Sequence, residues 1–462
     1  LKENLILKFK ASKEFNLSFL NTNIEHMNLY KSINVERGNW TRDINLWKLA
    51  INERIFYRFF DFHKFTTEEI CSILEQECRL FEKILDEVNP DFIITKYASR
   101  HHHELFYKLC ISRGIKVLTL SKTNLGTKTM ISETAHTFDS KINWNDIKSE
   151  GKTLEELQKY IQSFNFLKVV KKNLNKKTPK IDMIKVIVNY LISDTSKNRE
   201  QYYYFGRTKF KVLLFMIKST LNRKFRESFM GKNLEKEPNC NETFVYFPIH
   251  VDMERPLLIK APFFTNQIEM IRHIAKSLPM GVKLYVKETP AAVTRDWRSI
   301  STYKEIMAIP NVTLIHPSIS PEKLMKNCSI VFTIAGASGF EAAFYGKPSI
   351  VFSDVVYVEL PSVTRVREIE NLESIIKKSM KTKVNHIDLD KFVNHLETNV
   401  IDFNWFELES KVAESFFFGG YTSDVIISTL QMKSFLEKNI ETLNYVGKEH
   451  AKKIQMYKQK QK

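Results

Sequence analysis

The sequence predicts an α/β protein with a parallel, doubly wound main sheet and a helical C-terminal extension. Between residues 244 and 352, five short apolar runs alternate with segments of helical periodicity, the pattern of parallel strands and crossover helices. Residues 92–120 show a smaller unit of the same kind, and beyond residue 366 the pattern is helical without a further strand. We therefore predict two α/β domains with a helical segment between them.

Composition limits the classes of protein to which this chain can belong. It has 462 residues, 43% apolar and 12% aromatic, which suits two or three domains with real cores and excludes disorder throughout. The longest uncharged stretch, residues 306–321, has 16 residues and three prolines, too short and broken for a membrane-spanning helix. Five scattered cysteines without a Cys-x-x-Cys pair indicate neither a disulfide framework nor a zinc site, so we expect a cytoplasmic protein.

The net charge of +17 first suggests a nucleic-acid partner. Residues 165–235 contain 17 Lys and Arg against 5 Asp and Glu, and residues 448–462 contain 6 Lys against one Glu, so these two segments hold the whole excess. Within the first, a helix near residues 209–225 either packs on a domain with a solvated basic face or lies on a membrane surface. We expect no nucleic acid, and contact of the two segments with an anionic surface at the inner face of the cell membrane.

The first domain is predicted at residues 1–160, although residues 1–60 show no clean period. Thr66 and Thr153 each begin a sequence typical of a capped helix N-terminus. The elements predicted between them are a helix at residues 66–89, a strand at 92–95, a helix at 103–112 closed by Gly114, and a strand at 115–120. Together they form a β-α-β unit.

A basic helical linker is predicted at residues 161–240, the second domain at 241–366 and the helical extension with its basic tail at 367–462. The second domain has predicted strands at 244–247, 283–286, 312–315, 330–334 and 349–352, and predicted helices at 266–277, 301–307, 321–327 and 339–345. Ligands of such sheets bind at the carboxyl ends of the strands, so we expect the site in the loops that follow these runs.

Glycine is scarce, 13 residues in 462, yet Gly336, Gly339 and Gly346 lie within eleven residues. The first two follow an apolar strand and open a helix, which presents backbone N–H groups and a positive helix end to a phosphate. Ser338 would add a hydroxyl donor, and Glu341 would accept from a pair of sugar hydroxyls. A tight strand-to-helix turn with a capping serine explains the same residues without a ligand.

Three further polar clusters follow predicted strands of the same domain. Their members are His250, Asp252, Glu254 and Arg255 in the first cluster, Lys287 and Glu288 in the second, and His316 in the third. Histidines and carboxylates serve acid–base chemistry, and basic side chains bind anions. Because all four clusters would meet at one edge of the sheet, we predict a functional site there.

A run of three histidines at residues 101–103 is the most obvious metal candidate. Consecutive helical residues point about 100° apart, so the three side chains cannot converge on one ion as histidines at i and i+4 do. We therefore predict no metal site.

At the residues of the polar clusters, the sequence resembles the capsule polysaccharide biosynthesis protein family. The resemblance is strongest over residues 243–357 and is carried by Tyr246-Phe247-Pro248-Ile249-His250, Lys287-Glu288, His316-Pro317-Ser318 and the segment 336–348. Members of that family include transferases of Kdo, an eight-carbon acidic sugar, and have the two-domain GT-B fold. The resemblance implies a GT-B-like pair of Rossmann-like domains, with a nucleotide-sugar donor on the second and a glycan or glycolipid acceptor on the first.

The resemblance also implies roles for single residues. His250 and Glu254 would lie at the reacting sugar, and Lys287 and Glu288 beside the nucleotide. The other residues expected to bind the nucleotide sugar are His316, Gly336, Ser338, Gly339 and Glu341. The nucleotide sugar is a substrate, and no cofactor is implied.

The expected activity is transfer of a sugar to a cell-surface, capsule-like polysaccharide or its lipid-linked precursor. The helix end at Gly336 and Lys287 would stabilise the leaving phosphate, while His250, Asp252 or Glu254 takes the acceptor proton. Two alternatives are a nucleotide-sugar epimerase of the same fold and a non-catalytic basic protein that binds anionic lipid or RNA.

Overall fold

The computed structural model of the chain describes residues 6–12, 15–20, 44–123, 125–126, 128–164, 187–188, 190–192, 202–239, 241–289, 298–417 and 427–460. Much of the basic segment predicted at residues 165–235 lies outside these ranges, as do the last two residues of the basic tail. The described strands form sheets of two, four and six strands.

The first unit opens with an antiparallel pair, β1 (Ile6–Ser12) and β2 (Phe15–Leu20). Its helices and further strands, in chain order, are α1 (Leu46–Asn52), α2 (Thr67–Val88), β3 (Phe92–Lys96), α3 (His101–Ser112), β4 (Lys116–Lys122), β5 (Thr129–Ser132) and α4 (Leu154–Ser163). The capping boxes predicted at Thr66 and Thr153 are both present. Strands β3 and β4 are parallel with α3 between them, which confirms the β-α-β unit.

A helix of 25 residues, α5 (Lys209–Asn233), precedes the second unit. The strands of this unit are β6 (Phe244–Pro248), β7 (Lys283–Lys287), β8 (Val312–Ile315), β9 (Val331–Thr333), β10 (Ser349–Val351) and β11 (Val363–Arg365). Its helices are α6 (Arg255–Leu258), α7 (Gln267–Ser277), α8 (Ile300–Met307), α9 (Pro321–Asn327) and α10 (Ser338–Phe344). The five predicted strands and four predicted helices are confirmed, and β11 and α6 were not predicted.

The six strands are all parallel and lie in the order β11-β10-β9-β6-β7-β8. Each segment between strands buries apolar side chains against the sheet, and Phe244, Tyr285 and Phe332 are almost completely buried within it. The strand order reverses between β6 and β9. The loops that leave these two strands therefore diverge to opposite faces and open a crevice between them.

The helical extension consists of α11 (Leu372–Ser379), α12 (His386–Thr398), α13 (Trp405–Phe416), α14 (Thr429–Lys438) and α15 (Ile440–Lys460), with the short strand β12 (Val400–Ile401) between α12 and α13. The prediction of no strand beyond residue 366 is wrong, because β12 pairs antiparallel with β5. A segment of two residues is too short to show hydrophobic periodicity. It is a strand only because it pairs with β5.

This extension returns to the first unit. The Thr129 hydroxyl donates to the Phe403 carbonyl oxygen over 2.7 Å, and the Tyr457 hydroxyl donates to Asp139 over 2.7 Å. The predicted α/β class, with a parallel main sheet, a smaller α/β unit before it and a helical C-terminal region, is confirmed. Among the described residues, no helix is both long enough and apolar enough to cross a bilayer.

Candidate active site

The candidate site lies at the crevice between β6 and β9. His250, in the loop after β6, reaches the residues that follow β9. Its Nε2 atom lies 3.1 Å from the Thr333 hydroxyl oxygen, 3.2 Å from the Ile334 backbone nitrogen and 3.4 Å from the Ala335 backbone nitrogen. The two backbone N–H groups donate to Nε2, so the ring proton is assigned to Nδ1.

The imidazole of His250 is held neutral and in place. Burial, together with the charges of Arg298 and Lys260, lowers the pKa of His250 to about 4. Its amide donates to the Gln267 side-chain oxygen over 2.7 Å, and its carbonyl oxygen accepts from the Gln267 side-chain nitrogen over 2.9 Å. His250 is therefore a fixed hydrogen-bond acceptor for the loop after β9.

Gly336 and Gly339 lie where a side chain has no room. A Cβ atom at Gly336 would lie 2.6 Å from His250 Cε1 and 2.8 Å from Thr333 Oγ1, and one at Gly339 would lie 2.7 Å from the Tyr357 hydroxyl oxygen. The Tyr357 hydroxyl donates to the Gly336 carbonyl oxygen, and the Gly336 amide donates to Thr333 Oγ1 over 3.0 Å. The glycines let the loop pack tightly at the start of α10.

Ser338 is the first residue of α10, and Glu341 lies in its first turn. The N-cap position belongs to Ala337, which offers no side-chain cap, so the alternative of a turn closed by a capping serine is wrong. Burial raises the pKa of the Glu341 carboxyl group, and no hydrogen bond to this group is seen within the described ranges. Ser338 and Glu341 thus lie in the first turn of α10, and neither side chain forms the N-cap hydrogen bond. An N-cap role therefore does not account for these two polar residues.

Arg298 joins two of the predicted clusters, although no sequence pattern pointed to it. Its guanidinium contacts both Glu288 carboxylate oxygens over 2.6 Å and Asp252 over 3.0 Å, and it donates to the His250 carbonyl oxygen. Glu288, which is completely buried, also accepts from the Tyr303 hydroxyl over 2.8 Å. Asp252 and Glu288 therefore lie together within a buried network, and contact of Glu288 with a nucleotide stays a prediction.

Lys287 and His316 lie side by side at the ends of β7 and β8. The Lys287 ammonium, which is 2% exposed, donates to the carbonyl oxygens of Glu288 and Pro317, each over 3.2 Å. His316 Nδ1 lies 2.7 Å from the Ser318 hydroxyl, and burial with Lys236 and Lys287 lowers the pKa of His316. These two basic side chains are placed next to each other, as expected for neighbouring strand ends.

Glu254 lies where the second unit meets the first. It precedes α6 as its N-cap residue. Burial raises the pKa of Tyr97, and the charge of Glu254 adds to this effect and also acts on Arg54 and Lys122, all in the first unit. Of the three predicted acid–base residues, His250 and Asp252 lie in the crevice network and Glu254 lies at the boundary between the units.

A second cluster of chemistry-bearing side chains lies inside the first unit. His101 Nδ1 contacts Glu53 over 2.8 Å, and His101 Nε2 contacts Glu77 over 2.9 Å. Burial opposes ionisation, but the two carboxylates outweigh it and raise the pKa of His101 to about 10. Glu77, His101 and His102 could offer metal ligands, with ligand atoms within 4.8 Å of one another. Because metal binding needs a neutral imidazole, a protonated His101 opposes it, and the absence of a metal site stays a prediction.

Solved structures that are similar to the chain include the following three, all at low identity. Thermosulfurimonas dismutans KpsC, beta Kdo 2,7 transferase, is 12% identical, with 76% of this chain and 87% of that chain covered at a TM-score of 0.32. The beta Kdo 2,4 transferase of the same KpsC is 10% identical, with 65% and 78% covered at 0.30. UDP-GlcNAc 2-epimerase from Neisseria meningitidis is 14% identical, with 74% and 84% covered at 0.26. At these identities and TM-scores, the similarity gives no evidence about the activity of this chain.

No curated protein sequence matches the chain. Residues 148–401, more than half of the chain, match the family described as capsule polysaccharide biosynthesis protein. The matched region contains the whole six-stranded sheet and the candidate site at its crevice. The chain therefore belongs to the capsule polysaccharide biosynthesis protein family.

Proposed function

We propose that the chain is a glycosyltransferase that moves a sugar from a nucleotide sugar to a capsule-like polysaccharide or its lipid-linked precursor. The observation that carries this proposal is the glycine loop at the crevice, which His250, Thr333 and Tyr357 hold against the start of α10. The N–H groups of Ile334, Ala335 and Gly336 donate within the loop, so the phosphate oxygen is proposed to accept from the N–H groups that follow them at the start of α10. Family membership supports the same activity class.

The donor is proposed to lie with its phosphates at Gly336 and Ser338 and its ribose at Glu341. Glu341 suits the ribose because its half-buried carboxylate accepts no hydrogen bond from the part of the chain that is described. A fixed set of N–H donors needs no reorganisation when charge develops on the leaving phosphate, and this lowers the barrier to transfer. Lys287, the last residue of β7, would add a positive charge that stabilises the leaving phosphate from the same edge of the sheet.

The acceptor proton is proposed to go to Glu254. His250 Nε2 already accepts two backbone N–H groups, and Asp252 is paired with Arg298. A base must reach the acceptor oxygen, and Glu254 is the predicted carboxylate that lies where the second unit meets the first, on which the acceptor is expected. Glu254→Gln should therefore lower kcat strongly while the affinity for the donor changes little.

A thermal-shift screen with CMP-, UDP-, GDP- and CDP-linked sugars tests the donor site. At least one of these should raise the melting temperature of the wild-type protein, and Glu341→Gln should weaken that ligand about tenfold or more. Glu373→Gln, on the exposed face of α11, is the matched control and should bind as the wild type does. A wild-type protein that no nucleotide sugar stabilises, or a Glu341 variant with unchanged affinity, would contradict the assignment.

Product analysis separates transfer from epimerisation, the alternative activity of this fold. A glycosyltransferase needs an acceptor glycan to consume the nucleotide sugar, whereas an epimerase changes or releases sugar from the donor alone. Turnover that is the same with and without an acceptor would favour the epimerase.

We further propose that α5 lies on an anionic membrane surface. Seven of its large apolar side chains are more than a third exposed. They are Phe210, Leu214, Phe215, Met216, Ile217, Leu221 and Phe225. Lys and Arg residues alternate with them along the helix, as expected for a helix that lies in the headgroup region. The tail helix α15 adds further lysines to the same proposed partner.

Co-sedimentation with vesicles of phosphatidylcholine and phosphatidylserine tests this surface. Binding should rise with the phosphatidylserine fraction, and Ile217→Ser with Phe225→Ser should reduce it. Met280→Ser, at a fully exposed apolar side chain far along the chain from α5, is the control. If sedimentation does not depend on the phosphatidylserine fraction, or if the chain binds RNA instead, the proposed membrane contact is wrong.

A further inference from the structure

The loop after β6 joins the crevice to the first unit. At its start, His250 holds the residues that follow β9. At its end, Arg255 begins α6 and contacts the first unit. The guanidinium donates to the Ala98 carbonyl oxygen, lies 3.4 Å from His136 Nδ1 and lies 4.8 Å from the centre of the Tyr97 ring. This short loop therefore has one fixed end in each unit.

These contacts depend on the shape of an arginine side chain. A guanidinium is planar, so its face can lie over an aromatic ring while the N–H groups at its edge donate to acceptors. Burial, with the charges of Lys260 and Arg255, lowers the pKa of His136 to about 2, so this ring is neutral and can accept an N–H group. A lysine has one compact ammonium group and could make only some of these contacts at the same time.

The first unit holds the accepting loop firmly on both sides of Ala98. The Tyr97 amide donates to the Leu120 carbonyl oxygen over 3.1 Å, which continues the pairing of β3 with β4. The Ser99 carbonyl oxygen accepts from Arg54 over 3.0 Å. The carbonyl group that receives the guanidinium is therefore fixed within the first unit before the second unit contacts it.

Glu254, the proposed base, is the residue directly before Arg255 and the N-cap of α6. Its carbonyl oxygen accepts from the amides of Leu257 and Leu258, each over 3.1 Å, and both of these leucine side chains are buried. Helix α6 has only four residues, so it forms a single hydrogen-bonded turn. A displacement of Arg255 would therefore move Glu254 with it.

We propose that Arg255 is a positioning residue, which fixes the loop after β6 on Tyr97 and Ala98 and thereby holds Glu254 where the two units meet. This inference rests on the proposed function and deepens it, because it names the contact that keeps the proposed base on the acceptor side. Arg255 acts through the first unit of its own chain and not through the donor. Its loss should therefore change the rate of transfer and leave donor binding intact.

Steady-state kinetics of the full-length chain test this role. The donor is the CMP-, UDP-, GDP- or CDP-linked sugar that stabilises the wild type, and the acceptor is purified capsular polysaccharide. Arg255→Met should lower kcat about 100-fold, because a base displaced by about 1 Å loses that much, while KM for the donor stays the same. Arg255→Lys, which keeps the charge and one donor group, should retain more activity than Arg255→Met. Arg272→Met, paired only within the second unit, is the control and should transfer as the wild type does.

Hydrogen exchange of the unliganded protein gives a readout that needs no substrate. In Arg255→Met, the amides of residues 98–100 and 255–258 should exchange faster than in the wild type, because each segment loses the contact that ties it to the other unit. Arg272→Met should leave both segments unchanged. Tyr97→Leu removes the ring from the opposite side of the contact and should speed exchange at residues 255–258, so the test holds even if Arg255→Met does not fold.

The outcomes separate this inference from the proposed function. Transfer by Arg255→Met at the wild-type rate, or a donor KM that rises as kcat falls, refutes the positioning role even when the wild type is a glycosyltransferase. Unchanged exchange at residues 255–258 in both Arg255→Met and Tyr97→Leu refutes the contact itself. If the wild type turns over no nucleotide sugar, the proposed function fails, and the exchange rates still decide whether Arg255 fixes the loop on the first unit.

Discussion

Replacing Gly336 by alanine should disrupt the candidate site, because the added methyl group would clash with a neighbouring side chain at a distance that the structure gives. The new methyl carbon would lie 2.6 Å from His250 Cε1, about 1 Å closer than carbon atoms normally approach. The imidazole cannot swing away freely, because Thr333, Ile334 and Ala335 hold its Nε2 atom. Overpacking of this kind costs about 1–3 kcal/mol. Gly336→Ala should therefore lower the free energy of unfolding by that amount and abolish the thermal shift from nucleotide sugars.

The matched control for this substitution is Gly231→Ala in α5, where a Cβ atom meets nothing within 4 Å. A helical glycine with open space around it should gain about 0.5–1 kcal/mol on replacement by alanine. Urea unfolding of both variants measures the difference, and a double-mutant cycle with His250→Ala tests its cause. If Gly336→Ala is as stable as Gly231→Ala, or if its effect is unchanged without the His250 ring, the steric reasoning is wrong.

Three further predictions concern stability. Arg298→Met leaves the buried Glu288 carboxylate and the partly buried Asp252 carboxylate without their cation and should cost about 3–5 kcal/mol in urea unfolding, whereas Arg272→Met, on an exposed helix face, should change it by less than about 1 kcal/mol. The raised pKa of His101 means that its contribution to stability is complete below pH 6.5 and is lost as the pH rises through about 10, so thermal melts of the wild type should show this fall and melts of His101→Gln should not. Thr66→Ala removes a capping box and should cost about 1 kcal/mol in the same urea assay.

The second unit was predictable because its strands are short runs of buried apolar residues separated by amphipathic helices. Each of the five predicted strands overlaps an observed one. Of the missed strands, β1 and β2 have seven and six residues but lie in the region without a clean period, whereas β5, β11 and β12 have two to four residues, too few for a period to show. β12 is a strand only through its pairing with β5, about 270 residues earlier in the chain. Hydrophobic periodicity in the sequence identifies helices and strands that are long enough to bury one face. It misses short strands that form only by pairing with residues far away in the chain.

The candidate site was predictable only in part, for a related reason. Strand ends could be located, so His250, Asp252 and the glycine loop were expected near one edge. No pattern indicates which charged side chain in a loop turns inward, and Arg298 therefore escaped notice although it joins Asp252 to Glu288. The reverse holds for Glu288, whose place after a strand suggested a ligand contact and whose carboxylate is occupied by protein donors.

Basic residues play three different roles in this chain, and the net charge of +17 reflects only one of these roles. Arg298 is buried and paired, so it organises the crevice, whereas Lys211, Lys218, Lys224 and Lys232 of α5 are exposed and can act only on a surface. Arg255 lies outside the two basic segments and joins the two units, because its guanidinium donates to the Ala98 carbonyl oxygen and lies 4.8 Å from the centre of the Tyr97 ring. A bound group responds to the local field rather than to the total charge, so the excess of basic residues in two segments gives no information about the charge at the crevice.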